Sequence, residues 1–418
     1  MNSLYVLVNA QLFTIQEPKK TNIDFVNYIT ENEHFNVMNY EYLYNGGGVA
    51  IGDINNDGLQ DVFFSGNMSS NKLFLNKGSF VFQDISATAR IDKGEGFNTG
   101  ISMIDVNADG WLDIYVCKSV LKNPNQRIHN LYINNKNNTF SDRAKDYGLA
   151  DSSYSTQAYF RDFDLDGDLD LFLANIPEKI KEAKKIVLVK NAKGQLQSEE
   201  KPYNRFYSCK FMENQGGVFV DKTLSYGLKT HSFVLSAVIA DFNDDRYPDI
   251  YIANDYSEPD FLFINQKNKT FKEETDQYFH HMSYNSMGSD FEDLNNDGVA
   301  DLIVTDMLPE SNYRQKQSKL MMSYDQYEKL VKYGFKSQFV KNVLQTRFDG
   351  KTFSDISYAT GMAFTDWSWA PLIADFDNDG KKDVYITNGF FRDFTDQDIN
   401  RYVLDSLSKE YAKQKKTI

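Results

Sequence analysis

Aspartate recurs in this chain at a spacing suited to holding a hard cation. Six nine-residue segments place oxygen-bearing side chains at positions 1, 3, 5 and 9. They are Asp53, Asn55, Asp57 and Asp61; Asp105, Asn107, Asp109 and Asp113; and Asp162, Asp164, Asp166 and Asp170. The remaining three are Asp241, Asn243, Asp245 and Asp249; Asp293, Asn295, Asp297 and Asp301; and Asp375, Asp377, Asp379 and Asp383. Position 6 is Gly in every copy but the fourth, where Arg246 stands. Ca²⁺ takes about 6–8 oxygens from carboxylates, amides, backbone carbonyls and water, and a tight loop aims alternate side chains at one point. Mg²⁺ demands stricter octahedral geometry. Zinc or iron would bring His or Cys, and neither residue falls in the loops. The expectation is up to six Ca²⁺ ions. The 241–249 loop is the doubtful one, because Arg246 sits where the backbone needs a left-handed turn and adds a positive charge beside the cage. An EF-hand would need Glu at position 12 and flanking helices, whereas position 12 is apolar in all six copies.

The elements that position these loops read as strands. The residue two places before each segment is apolar (Ile51, Met103, Phe160, Ile239, Phe291, Ile373). So are positions 10 and 12 after it, beginning with Val62 and Phe64. That is the period-two pattern of a strand entering and a strand leaving. A second block follows: Leu73-Phe-Leu-Asn76 with Phe82-Gln-Asp84, Leu131–Asn134 with Phe140–Asp142, and Leu262–Asn265 with Phe271–Glu273. Looser copies lie at Phe211–Asn214 with Phe219–Asp221 and at Val343–Thr346 with Phe353–Asp355. Four strand-like runs per repeat of about 52 residues predict an all-β chain, a β-propeller of four-stranded blades. The six loops would form part of a six- to eight-bladed propeller. Insertions are expected at about 176–204 and 307–341, the second with a short surface helix at Tyr324–Tyr333. Residues 1–21 read as a leader or disordered start, 22–395 as the propeller, and 396–418 as a polar helix at a possible truncation point. The sixth repeat lacks its second block, so the strand-like runs Ile23–Tyr28 and Tyr40–Tyr44 are candidates to close the ring.

The net charge of −14 concentrates in the loops. Twenty of the 24 proposed ligands are carboxylates, so the rest of the chain carries +6, and six Ca²⁺ would bring the total to −2. The acidity therefore speaks for metal, and it argues against nucleic acid as a partner. No stretch is apolar for the ~18–20 residues of a transmembrane span, and Met1–Gln16 has no basic residue ahead of its short apolar core, which makes it a poor signal peptide. Cys117 and Cys209 could pair, but two cysteines are no disulfide framework.

No HExxH, Gly-x-Ser-x-Gly or phosphate-loop motif is present among the five histidines (His34, His129, His231, His280, His281) and the glycines. The His280–His281 pair reads as an exposed loop or strand end. Trp367 and Trp369 fit packing between blades better than a sugar-stacking surface.

These loops, with the Leu-Phe-x-Asn block, make the sequence resemble FG-GAP/VCBS-repeat proteins, including the calcium cages of integrin-type propellers. Gly46–Gly58, Asp306-Met-Leu-Pro-Glu310 and Thr365-Asp-Trp-Ser-Trp-Ala-Pro371 look like the N-terminal part of long bacterial VCBS-repeat proteins that end in an ASPIC/UnbV domain. The resemblance covers residues 22–400. The integrin-type Phe-Gly and Gly-Ala-Pro signatures, a lipobox cysteine and the downstream half are not evident. What it implies is an extracellular or outer-surface bacterial protein, a non-catalytic module binding protein or glycan on a calcium-braced propeller. The alternatives are a polysaccharide lyase or hydrolase on the same scaffold, or a truncated fragment without function.

Overall fold

The computed structural model describes residues 13–415, apart from 34, 38, 92–95, 232, 319–321, 349 and 390–395. Its body is five four-stranded antiparallel meanders followed by a two-stranded sheet. The first sheet comprises Val49–Gly52, Asp61–Phe64, Lys72–Asn76 and Phe82–Asp84. The second comprises Phe97–Ile104, Asp113–Ser119, Asn130–Asn134 and Phe140–Asp142, and the third Ser155–Arg161, Asp170–Asn175, Lys210–Asn214 and Phe219–Asp221. The fourth comprises Val234–Ala240, Asp249–Asn254, Phe261–Asn265 and Phe271–Glu273, and the fifth Ser289–Glu292, Asp301–Val304, Val343–Thr346 and Ser354–Asp355. The sixth has only Ser368–Ala374 and Asp383–Asn388. Such sheets are consistent with propeller blades.

Each nine-residue loop joins the first strand of a sheet to the second, and its ninth residue opens that second strand. The second strands of the second to fifth sheets are buried on both faces, because successive side chains serve different neighbours. Ile114 and Val116 pack toward the first sheet, while Tyr115 and Cys117 pack toward the third. The same division puts Phe172 and Ile250 between the third and fourth sheets, and Tyr251 and Leu302 between the fourth and fifth. First strands of all six sheets line one cavity of about 370 Å³, with Tyr40 and Tyr42 beside them. Glycine permits their close approach: a Cβ on Gly288 would lie 2.1 Å from the Trp369 carbonyl oxygen.

The expected closing strands do not form. Residues 23–44 contain no strand among the described residues. Asn27 and Tyr28 instead bond to side chains, Asn67 and the Ser69 hydroxyl, rather than along a backbone ladder. The described chain ahead of the first sheet nevertheless touches both terminal sheets. Phe13 packs edge-on to Phe376 and Tyr385, with centroids at 5.7 and 5.6 Å, and Phe25 stacks on Phe64 at 5.0 Å.

Long segments separate the second and third strands of the third and fifth sheets. The first holds a helical turn at Ile180–Ala183 and a hairpin of Leu188–Lys190 with Leu196–Ser198. The second holds helices Asn312–Gln317 and Tyr324–Lys332, the latter begun by a Ser323–Gln326 capping box. The chain ends in helical turns at Ile399–Leu404 and Asp405–Lys415. Pro18–Thr21 is a helical turn, and residues 1–12 of the expected leader lie outside the described residues. Among the described residues no helix is long and apolar enough to cross a membrane. Cys117 and Cys209 are buried thiols that no disulfide joins.

Candidate metal centres

The loops are built by their own carboxylates. In every copy the position-1 Asp accepts the amides of positions 5 and 6. Asp53 takes those of Asp57 and Gly58 at 3.1 and 2.7 Å, and Asp375 takes those of Asp379 and Gly380 at 3.1 and 2.9 Å. The position-5 Asp then accepts the amide of position 7, as Asp109 does from Trp111 at 3.0 Å. These bonds fold the first seven residues around one point and leave further carboxylate lone pairs for a cation.

Position 9 is the buried wall. Asp61, Asp113 and Asp249 are fully buried. One oxygen of Asp249 accepts the Phe242 amide at 2.9 Å and the other the Asn265 amide at 2.8 Å. Asp61 is held in the same way by Ile54 and Asn76. Burial pushes the Asp113 carboxyl up to about 6, and those of Asp170 and Asp249 up to about 7, with neighbouring loop carboxylates adding to the rise. A divalent cation would reverse this balance, which is what the donor set fits. Carboxylate oxygens of Asp162, Asp164 and Asp166 converge within 4.8 Å of one another, as do those of Asp375, Asp377 and Asp383. Those six residues, with the matching positions of the other four loops, would hold the ions, and no step of chemistry is assigned to them.

Two features of the loops were not legible beforehand. Position 4 is left-handed as well as position 6: Asn56, Ala108, Leu165, Asp244, Asn296 and Asn378 all have φ between 55° and 61°. A recurring Asn or Asp at position 4 was the available signal, and Leu165 and Ala108 obscured it. The Asn that ends the third strand is also a support. Its amide holds the position-9 Asp, and its side chain reaches the preceding sheet. Asn134 donates to the Ile54 carbonyl at 2.8 Å, and Asn265 to the Phe163 carbonyl at 2.8 Å. In the fifth sheet the Arg347 guanidinium takes this place, donating to the Phe242 carbonyl at 3.3 Å.

The fourth loop keeps the common geometry despite Arg246. That residue adopts φ of 75°, and its amide donates to Asp241 at 2.6 Å. Replacing it should relieve strain of about 1 kcal/mol and remove a cation from the rim of the cage. Arg246→Gly is expected to raise the melting temperature and tighten calcium binding, and calorimetry with a calcium titration checks both.

The other candidates resolve into structure. His129 is buried with Nδ1 2.8 Å from the Tyr115 hydroxyl, and burial pushes it down to about 4. His231 falls to about 4 for the same reason, with the Lys201 charge adding to it. His280 is exposed, and His34 lies outside the described residues. His281 was read as an exposed end, but its Nε2 bonds Asp355 at 2.9 Å. Trp367 packs with Met287 and Met307, while Trp369 lines the cavity between the first strands.

Two more buried carboxylates, Asp255 and Asp260, lie at the end of the fourth sheet opposite its loop. Burial raises both to about 7; the Tyr42 hydroxyl bonds Asp255 at 2.9 Å and the Tyr251 hydroxyl bonds Asp260 at 2.6 Å. A carboxyl raised in the folded state contributes stability that is complete below its ordinary value near 4 and is lost as pH rises toward 7. In saturating calcium, the stability of wild type relative to Asp255→Asn is therefore expected to fall as pH rises from 4.5 to 7, as read in denaturant melts of the two chains.

Comparison with known proteins places this geometry. The FG-GAP-like repeat family matches residues 53–116 and 211–304. Cartilage acidic protein 1 of Xenopus tropicalis is 32% identical over 139 residues, which is 32% of this chain and 20% of that protein. Its Mus musculus counterpart is 30% identical over 149 residues, 34% of this chain and 22% of that protein. The match thus spans about a fifth of the length of these relatives. Among solved structures, an Agrocybe aegerita lectin studied for recognition of non-reducing terminal N-acetylglucosamine aligns with a TM-score of 0.38 and 14% identity, over 81% of this chain and 70% of its own. The V. cholerae biofilm matrix protein Bap1 aligns with a TM-score of 0.24 and 10% identity, over 83% and 60%. The chain therefore carries FG-GAP-like repeats, in two segments that contain the first, second, fourth and fifth of its acidic loops.

Proposed function

We propose that the chain is a calcium-binding, non-catalytic β-propeller module that engages a protein or glycan partner outside the cell or at its outer surface. Ca²⁺ braces the blades in this reading. The observation that carries it is the convergence of carboxylates in loops of one shared geometry, the first five anchored to a buried aspartate at the head of a strand. Clustered carboxylates repel one another and favour protonation, so a site that keeps them together near neutral pH is suited to a divalent ion. FG-GAP-like repeats in the same segments support the reading. The extracellular placement rests on the resemblance to exported repeat proteins.

The test is a screen of the intact chain against glycans and surface proteins, with calcium and with chelator, beside an activity screen on polysaccharides. Partner capture that is lost in chelator is the expected result. Turnover of a polysaccharide, abolished by one carboxylate substitution outside the six loops, would replace the reading with an enzyme.

A further inference from the structure

The second insertion does more than decorate the fifth sheet. Its helix Tyr324–Lys332 contributes Tyr324 and Tyr327 to a cleft of about 570 Å³ that Asp355 of the sheet's last strand also lines. Aromatic rings wall this cleft. Tyr324 is 73% exposed and Tyr358 66%, and Phe339 is stacked on Tyr327 at 5.1 Å. At its base sit three polar groups locked to one another. Asp355 accepts from His281 Nε2 and from the Lys341 ammonium, and Lys341 also donates to the Ser357 hydroxyl at 3.0 Å. The side chains of Lys341 and Asp355 are 6% and 5% exposed.

This base is already satisfied internally. Lys341 spends its donors on Asp355, Ser357 and the Asn342 carbonyl, and it lies 5.1 Å from the centre of the Tyr358 ring. Asp355 also accepts the amides of Leu344 and Ser357. Burial alone would raise its carboxyl, but His281 and Lys341 hold it well below the ordinary carboxylate range. What remains for a ligand is Nδ1 of His281, whose orientation the Asp355 bond fixes, surrounded by rings already in place. A ligand that fits needs a flat C–H face to lie on an exposed ring and a hydroxyl at its edge to meet the imidazole. An aliphatic peptide side chain supplies the first without the second. Among the described lining residues the one lysine, Lys341, has spent its donors, so no lysine or arginine is left for an anionic ligand.

We propose that this cleft is a saccharide-binding site, with Tyr324 and Tyr358 as stacking platforms and His281 as the hydroxyl partner. The assignment rests on the glycan branch of the function proposed above, and it adds the place of binding.

The experiment uses the intact chain in calcium. Wild type, Tyr324→Ala, Tyr358→Ala and His281→Gln are applied to an array of hexose, hexosamine, deoxyhexose and uronic-acid oligosaccharides. The best-bound oligosaccharide is then titrated calorimetrically. Both tyrosines are exposed, so their loss should leave the melting temperature near that of wild type. Tyr313→Ala, 73% exposed on the same insertion but outside the cleft, is the control. Each cleft variant is expected to bind about tenfold more weakly or worse, with Tyr313→Ala unchanged. Wild-type binding that survives all three cleft substitutions would overturn the site and leave the glycan reading standing. A wild type that binds no saccharide, or that captures only proteins, would overturn the site and the glycan branch together. The calcium-dependent melting of the same sample reports separately on the metal reading.

Discussion

Chelating calcium is expected to lower the melting midpoint by more than about 20 °C, or to abolish cooperative unfolding altogether. A ligand at a hundred times its dissociation constant adds about 2.7 kcal/mol to the native state. Several such sites together match the whole ~5–15 kcal/mol that holds a domain folded. Without the ion the cost is also local. The position-9 aspartates open core strands, and burial already disfavours their charge, so each empty cage sets unpaired negative charge against the core. Magnesium at the same concentration should restore only part of the loss, because it keeps its waters and tolerates no irregular cage. Differential scanning calorimetry in calcium, in chelator and in magnesium reads all three.

The second large effect lies away from the loops. Lys341→Met should cost about 3–5 kcal/mol at neutral pH, the range for removing one partner of a buried ion pair. Lys341 and Asp355 are buried together, and His281 is half-buried beside them. Without the ammonium, Asp355 keeps only His281 and its amide donors. In wild type its lowered carboxyl contributes stability above its ordinary value, and that contribution is lost as pH falls. The penalty of the variant should therefore shrink in acid, because the unfolded chains and the variant's folded state take up the proton that the folded wild type still refuses. Denaturant melts of the two chains from pH 3 to 7 measure it.

Much of this architecture was legible because the repeat states it six times. The ninth-position Asp and the apolar residues after it map onto the loop and the second strand of each sheet, and the Leu-Phe-x-Asn block and its looser copies onto the third strand of the first five. Even the loose copy at Phe211–Asn214 forms its strand. The helix at Tyr324 was legible as an apolar spacing. What misled was strand propensity without a partner. Ile23–Tyr28 reads as a strand, yet its bonds run to side chains of the first sheet, and its aromatic residue packs on a sheet face instead of pairing along an edge. Propensity cannot say whether an edge is within reach.

The cleft was illegible for a different reason. His281, Lys341, Asp355 and Tyr358 are separated by up to 77 residues and share no motif. Only the fifth sheet's meander and the insertion bring them together. The left-handed fourth position of each loop was hidden by Ala108 and Leu165, residues that seldom adopt it.

Counting bound metal tests the central claim most directly. The chain would be stripped with chelator, returned to a calcium buffer, and weighed by native mass spectrometry, with calorimetric titration for affinity. Five or six calcium ions per chain, with Asp166→Asn/Asp170→Asn removing one, is the result that follows from six loops of one geometry. A folded chain that holds no calcium, and melts at the same temperature with and without chelator, would contradict it.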